Sequence, residues 1–175
     1  MSVNIDAIKA KLEALKNGRS TNSTSSNRNK FYKPNGNFTC RIITIPGRED
    51  IMREFSWHYN LDEKSFFLCN KRSYPEQNHS CIACETASQL WKDFEDSGRQ
   101  NQQFGNLAKK MFATKRFYMP VIIRGQEAEG PMIYGFGPKL AQDIYNEVLN
   151  PENEGKFLDH EEGFDFNVKF TDKPN

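Results

Sequence analysis

Cys81-Ile-Ala-Cys84 sets two thiols one tight turn apart; Cys69 lies 12 residues before the pair and His58 another 11 before that. A C-x-x-C pair lets two thiolates grip one ion from a turn leading into a helix. One His with three Cys completes the closed tetrahedral set of a structural zinc site. Sulfur ligands favour zinc over hard cations, and four protein ligands leave no position for an activated water. His58, Cys69, Cys81 and Cys84 are therefore the expected ligands of one structural Zn(2+). A redox dithiol shares the C-x-x-C spacing, but the βαβ pattern that surrounds such motifs is missing here. His79 is the rival fourth ligand, yet only one residue separates it from Cys81, a poor spacing for joint chelation. His160 falls in an acidic stretch and is expected to be solvated. Cys40 alternates with Phe38 and Ile42, the pattern of a buried strand residue.

A chain of 175 residues can bury one main core with a small satellite. No apolar run approaches the roughly 20 residues of a membrane span, and the N-terminus lacks a secretory layout. A soluble intracellular protein is expected, with its cysteines free for metal rather than paired. Net charge is only +1, but residues 1–48 hold nine Lys and Arg against two acidic residues, and residues 149–175 hold three against seven. That polarity suits a polyanion-binding front followed by an acidic end.

Ile5, Ile8, Leu12 and Leu15 fall at helical spacing, so a short amphipathic helix is expected over 5–17. Residues 19–30 contain no apolar side chain and read as a linker, giving a flexible, basic N-terminal arm over 1–30. From Phe31 the pattern turns to short strands. Phe55, Trp57 and Tyr59 alternate, which puts Ser56 and His58 on the opposite strand face. Ala87, Leu90, Trp91 and Phe94 mark a helix from Glu85 to about Ser97, stopped by Gly98. Residues 99–106 read as a polar loop, Met111 to Ile123 and Met132 to Phe136 as strands, Leu140 to Val148 as a helix ended by Pro151, and Phe164 to Phe170 as a last strand. The expected fold is mainly β (α+β): a barrel or sandwich of residues 31–57 and 107–175, interrupted by a zinc-binding subdomain over 58–106.

Zinc nucleobase deaminases also use C-x-x-C, but their His-x-Glu and their Pro before the pair are missing: Tyr59-Asn60 follows His58 and Ser80 precedes Cys81. No P-loop, nucleophile elbow or paired-histidine protease motif occurs, so a non-enzyme is expected. Binders of single strands combine cations for the backbone with rings that stack on bases. Lys109, Lys110, Lys115 and Arg116 lead into Phe117-Tyr118, and Tyr134-Gly-Phe136-Gly137 adds rings flanked by glycine. Arg41 and Lys33 extend the cationic track. Lys109, Lys110, Lys115, Arg116 and Arg41 are thus expected to meet phosphates, and Tyr118, Tyr134 and Phe136 to stack on bases. A protein-interaction module, or an RNA binder using the same surface, remains open at this point.

The ligand order His58, Cys69, Cys81, Cys84, the Arg41-Ile-Ile-Thr-Ile-Pro46 strand, the Lys115-Arg116-Phe117-Tyr118 strand and the segment Glu127-Ala-Glu-Gly-Pro-Met-Ile-Tyr-Gly-Phe-Gly137 together resemble the gene 32-type single-stranded DNA-binding proteins of T-even-like bacteriophages. The resemblance implies an OB-fold with an inserted zinc subdomain. It also implies sequence-independent binding of single-stranded DNA in phage replication, recombination and repair, in the cytoplasm of the infected bacterial host. Cooperative self-association along DNA through the N-terminal arm is implied as well; Lys16-Asn-Gly-Arg19-Ser20-Thr21 resembles the family's basic arm motif. Partners implied are phage replication and recombination proteins. The family recruits replication proteins through an acidic tail beyond a longer barrel end, so this chain, ending at Asn175, is expected to be short there.

Overall fold

The structure is a computed structural model that describes residues 30–59, 61, 66–153, 156–159 and 161–170. Seven strands are present among them: β1 (Lys30–Tyr32), β2 (Phe38–Ile42), β3 (Arg53–Tyr59), β4 (Phe66–Leu68), β5 (Thr114–Ile123), β6 (Met132–Phe136) and β7 (Phe166–Val168). Four helices accompany them: α1 (Asn70–Ser73), α2 (Ile82–Asp96), α3 (Gln102–Met111) and α4 (Pro138–Leu149). The helix expected at 5–17 and the arm residues Lys16, Arg19, Ser20 and Thr21 lie outside the described residues. No described helix is long and apolar enough to cross a membrane.

β5 organises the sheet because its ten residues are long enough to serve three partners. One edge carries β6 from Phe117 to Val121. The other edge is divided: β3 pairs with Thr114 to Tyr118, and β2 with Val121 to Ile123. Pro120 stands at the changeover. Its carbonyl accepts the Ile43 N–H at 3.0 Å, and, lacking an amide hydrogen, it cannot return the reciprocal bond, so the β2 ladder ends there. β1 joins the far edge of β6 in parallel, β7 pairs with β2, and β4 pairs with β3.

The architecture is mixed α and β around one open, branched sheet. Among the described residues the sheet does not close into the barrel that the resemblance implies. β1, β4 and β7, each only three residues long, end the branches without a further strand among the described residues.

The two faces of β5 are chemically distinct. Met119, Val121 and Ile123 point into the core with Met132, Tyr134 and Phe136 of β6 and Cys40 and Ile42 of β2. Ala141 and Ile144 of α4 cover that core. Gly137 and Pro138 open α4 in the way expected of a fixed-φ first residue, and Asn150 ends it just before Pro151. Cys40 is fully buried, as the alternation predicts, and burial pushes its thiol up to about 12.

α2 begins three residues before the expected start, with Cys81 as its N-cap, and ends at Ser97 beside Gly98 at φ +65°. The polar loop expected over 99–106 is instead largely α3, and the strand expected from Met111 begins at Thr114. The reason lies in what α3 buries. Its inward face is Gly105 and Ala108, two small residues with little apolar signal, while Phe104 and Leu107 are exposed. An added Cβ at Gly105 would meet the Phe94 ring at 3.1 Å, so the bare backbone lets α3 lie close against α2. The strand expected over 164–170 shrinks to β7.

Asp165, just before β7, ties this end of the sheet together. It accepts Arg124 Nε at 2.8 Å and Arg41 Nε at 2.6 Å. The Arg124 hydrogen bonds, helped by Arg41, hold its carboxyl below the ordinary value of 3.8. Two outcomes follow. Gly105→Leu should cost about 1–3 kcal/mol in chemical denaturation through overpacking against Phe94. A lowered carboxylate contributes stability that is full above its unfolded pKa and lost as pH falls through the folded value. Denaturation midpoints should therefore fall on acidification below about pH 4 in the wild type, and less steeply in Asp165→Asn.

Candidate metal centre and nucleic-acid interface

β3 presents different chemistry on its two faces. His58 and Ser56 point inward and are fully buried; Phe55, Trp57 and Tyr59 point outward, as the alternation predicts. The β3–β4 hairpin then brings Cys69 back to the level of Ser56, whose carbonyl accepts the Cys69 N–H at 2.8 Å. Cys81 caps α2 and Cys84 lies in its first turn, so the helix start aims both thiols at His58.

The ligand atoms of His58, Cys69, Cys81 and Cys84 all lie within 4.8 Å of one another. Cys69 Sγ is 3.5 Å from Cys84 Sγ, and His58 Nε2 is 3.3 Å from Cys81 Sγ and 3.6 Å from Cys84 Sγ. A tetrahedral ion with metal–sulfur bonds of about 2.3 Å sets neighbouring ligand atoms about 3.5–3.8 Å apart, close to these three separations. His58 Nδ1 lies 2.7 Å from the Met111 carbonyl; donating to it leaves Nε2 as the lone-pair nitrogen facing the sulfurs. Burial, with the neighbouring sulfurs adding, pushes the Cys84 thiol up to about 12; a bound cation would reverse that cost by favouring the thiolate. The cluster could hold one metal ion, with all four positions filled by protein. His79 is not in it: its Nε2 faces Gln77 Oε1 at 2.8 Å on the surface. His160 lies outside the described residues.

The outward faces of β3, β5, β6 and β1 together line a groove of about 480 Å³. Phe31, Phe55, Trp57 and Tyr118 supply its rings and Arg48 and Arg53 its cations. Phe55 and Tyr118 meet edge to face at 5.8 Å, and Phe31 meets Tyr118 at 6.3 Å. Phe31 is 63% exposed, a large apolar side chain left facing solvent. The Arg53 guanidinium lies 4.9 Å from the centre of the Phe55 ring. Arg116, opposite Phe55 on the same sheet face, lines a neighbouring depression and donates to the Gly135 carbonyl at 3.2 Å. Burial raises the Tyr118 hydroxyl above its ordinary value, with Tyr59 adding and Arg116 opposing, so the ring stays neutral.

Of the residues expected to meet DNA, Tyr118 lines this groove, and Arg116 is on the same sheet face but lines a neighbouring depression with Gly135 and Lys139. Tyr134 and Phe136 do not line the groove: each is 3% exposed, on the core face of β6, and neither ring can stack on a ligand there. Lys115 points away from Arg116, as adjacent strand residues must, and pairs with Glu54 at 2.8 Å. Arg41 is half-buried and engaged by Asp165. Lys109 and Lys110 occupy the last turn of α3, with Lys109 Nζ 5.9 Å from the Trp91 ring centre, and neither lines the groove. Lys33 is exposed beside a separate depression at Asn35 and Gly36.

Phe31, Phe55, Trp57, Arg48 and Arg53 went unselected in the sequence. The Arg53-x-Phe55-x-Trp57-x-Tyr59 alternation carried the signal, but only strand pairing shows that this face adjoins Tyr118.

No protein-family model matches the chain, and no curated protein matches it.

Gly135 allows the Tyr118 ring to lie across β6: a Cβ there would stand 2.9 Å from the ring. Gly135→Ala should displace Tyr118, changing the near-ultraviolet circular dichroism while the far-ultraviolet spectrum holds, at a cost of about 1–3 kcal/mol.

Proposed function

We propose that this chain binds single-stranded DNA without sequence preference and without catalysis, as a divergent relative of the gene 32-type proteins of T-even-like bacteriophages. The observation that carries the reading is the outward sheet face itself: four rings, Phe31, Phe55, Trp57 and Tyr118, beside Arg48, Arg53 and Arg116, none of which is in an ion pair among the described residues. Stacking is worth about 1–3 kcal/mol per base and tolerates any base, since every base has a π-face. A duplex hides those faces inside its own stack, so such rings select unpaired strands. The arginines then neutralise backbone phosphates.

The divided edge of β5 supports an OB-fold-like reading, because one long strand shared by two sheet halves is how a small barrel turns its corner. The ion is assigned as zinc on its donor set, three sulfurs and one imidazole, and its role is to staple the helical insert to β3. A bound ion with four protein ligands has no open position, which supports a non-catalytic role. Self-association through the basic arm, partners among phage replication and recombination proteins, and a place in the infected host's cytoplasm are proposed on the sequence resemblance.

Quenching of tryptophan fluorescence by oligo-dT tests the groove. Tight binding is expected at low salt, with log K falling against log salt at a slope of about −2 for three neutralised phosphates. Phe55→Ala and Tyr118→Ala should each cost about 1–3 kcal/mol, and Arg53→Glu should flatten the salt slope, while Tyr134→Phe leaves affinity unchanged. No binding at low salt, or equal affinity for duplex, sinks the proposal. Competition by oligo-U separates RNA from DNA, and binding indifferent to Arg53→Glu would favour a protein-interaction surface.

Zinc removal by chelation should lower the thermal midpoint, since ion binding is coupled to folding of the insert. An unchanged midpoint after verified metal loss would remove the staple.

A further inference from the structure

Ser56 is fully buried on β3, two residues from His58 and on the same strand face. Its backbone is completely used. The N–H donates to Ser73 Oγ at 2.9 Å, and the carbonyl accepts both the Cys69 N–H at 2.8 Å and the Ser73 hydroxyl at 3.3 Å. Its own hydroxyl has no hydrogen-bond partner. A buried hydroxyl left unpaired is costly, and such groups call for a specific explanation.

The location supplies one. Ser56 belongs to the same buried layer as the four-ligand cluster, and its main chain is bonded to that of a ligand residue, Cys69. A neutral thiol is a weak acceptor, whereas a metal-bound thiolate keeps lone pairs and negative charge and accepts well. Ser56 and Cys69 face each other across the antiparallel β3–β4 pairing, so a change of the serine χ1 rotamer would swing its hydroxyl toward that sulfur without moving the backbone. We propose that Ser56 is a positioning residue of the metal centre, its hydroxyl donating to the metal-bound sulfur of Cys69. This rests on the cluster holding zinc.

The role has a thermodynamic signature that simple packing does not share. Removing the hydroxyl takes away a group that is unsatisfied without metal and satisfied with it. Metal affinity and metal-free stability should therefore move in opposite directions. A merely structural serine would lower both or neither.

The test uses the full chain and its Ser56→Ala and Ser56→Thr variants. Zinc affinity is measured by competition with a chromophoric chelator, and cobalt(II) is used as a spectroscopic probe. Ser56→Ala should bind zinc about ten- to a hundredfold more weakly and shift the sulfur-to-cobalt charge-transfer band. Its metal-free denaturation midpoint should equal or exceed that of the wild type. Ser56→Thr, which keeps the hydroxyl, should retain the wild-type band. Equal zinc affinity and an unshifted band in Ser56→Ala overturn the proposal, and so does loss of affinity accompanied by an equal loss of metal-free stability. A wild-type chain that binds neither ion fails the metal assignment itself, which is a separate result.

Discussion

Strand β5 is the constraint on which the other elements depend. Its inward residues Met119, Val121 and Ile123 make the centre of the core, and of its outward residues Tyr118 lines the aromatic groove with Arg116 beside it on the same face. Because side chains alternate along a strand, neither face can be altered in register without exchanging it for the other. The divided edge matters as much. β3 and β2 meet β5 end to end at Pro120, so the sheet half that carries the rings and the half closed by Asp165 share one backbone.

β3 carries the same duality into the insert. Trp57 faces the groove and His58, its neighbour, faces the cysteines. An ion held by His58, Cys69, Cys81 and Cys84 would fasten the β3–β4 hairpin and the start of α2 to the back of the strand that displays the rings. On the proposed function, the staple and the binding face are thus opposite sides of one seven-residue segment, and what stiffens one orients the other.

The free cationic surface around the groove is narrower than the charge count suggests. Lys30, Arg41, Lys71, Arg99, Lys115 and Arg124 all have carboxylate partners. A surface cation already paired with a carboxylate offers less to a phosphate than one set against rings. Arg53 is of the second kind, its guanidinium near the Phe55 and Tyr74 rings and in no ion pair among the described residues.

Local features were legible in the chain itself. Ligand spacing identified the four side chains that converge into a cluster able to hold a metal ion, because chelation is a short-range geometric demand, and alternation placed His58 opposite Phe55 and Trp57, because side-chain direction has period two in any strand. The helix over 102–111 was not legible, since its buried face is Gly105 and Ala108 and carries no apolar stripe. What only the tertiary structure decided is which rings are lining and which are core. Tyr134 and Tyr118 both sit in ring-bearing strand segments, but pairing Tyr118 with Gly135 turns one outward, and pairing Met119 with Tyr134 turns the other inward. Sequence sets the alternation of a strand; its neighbours in space decide which side meets water, because burial is a property of the assembled layers and not of the residue.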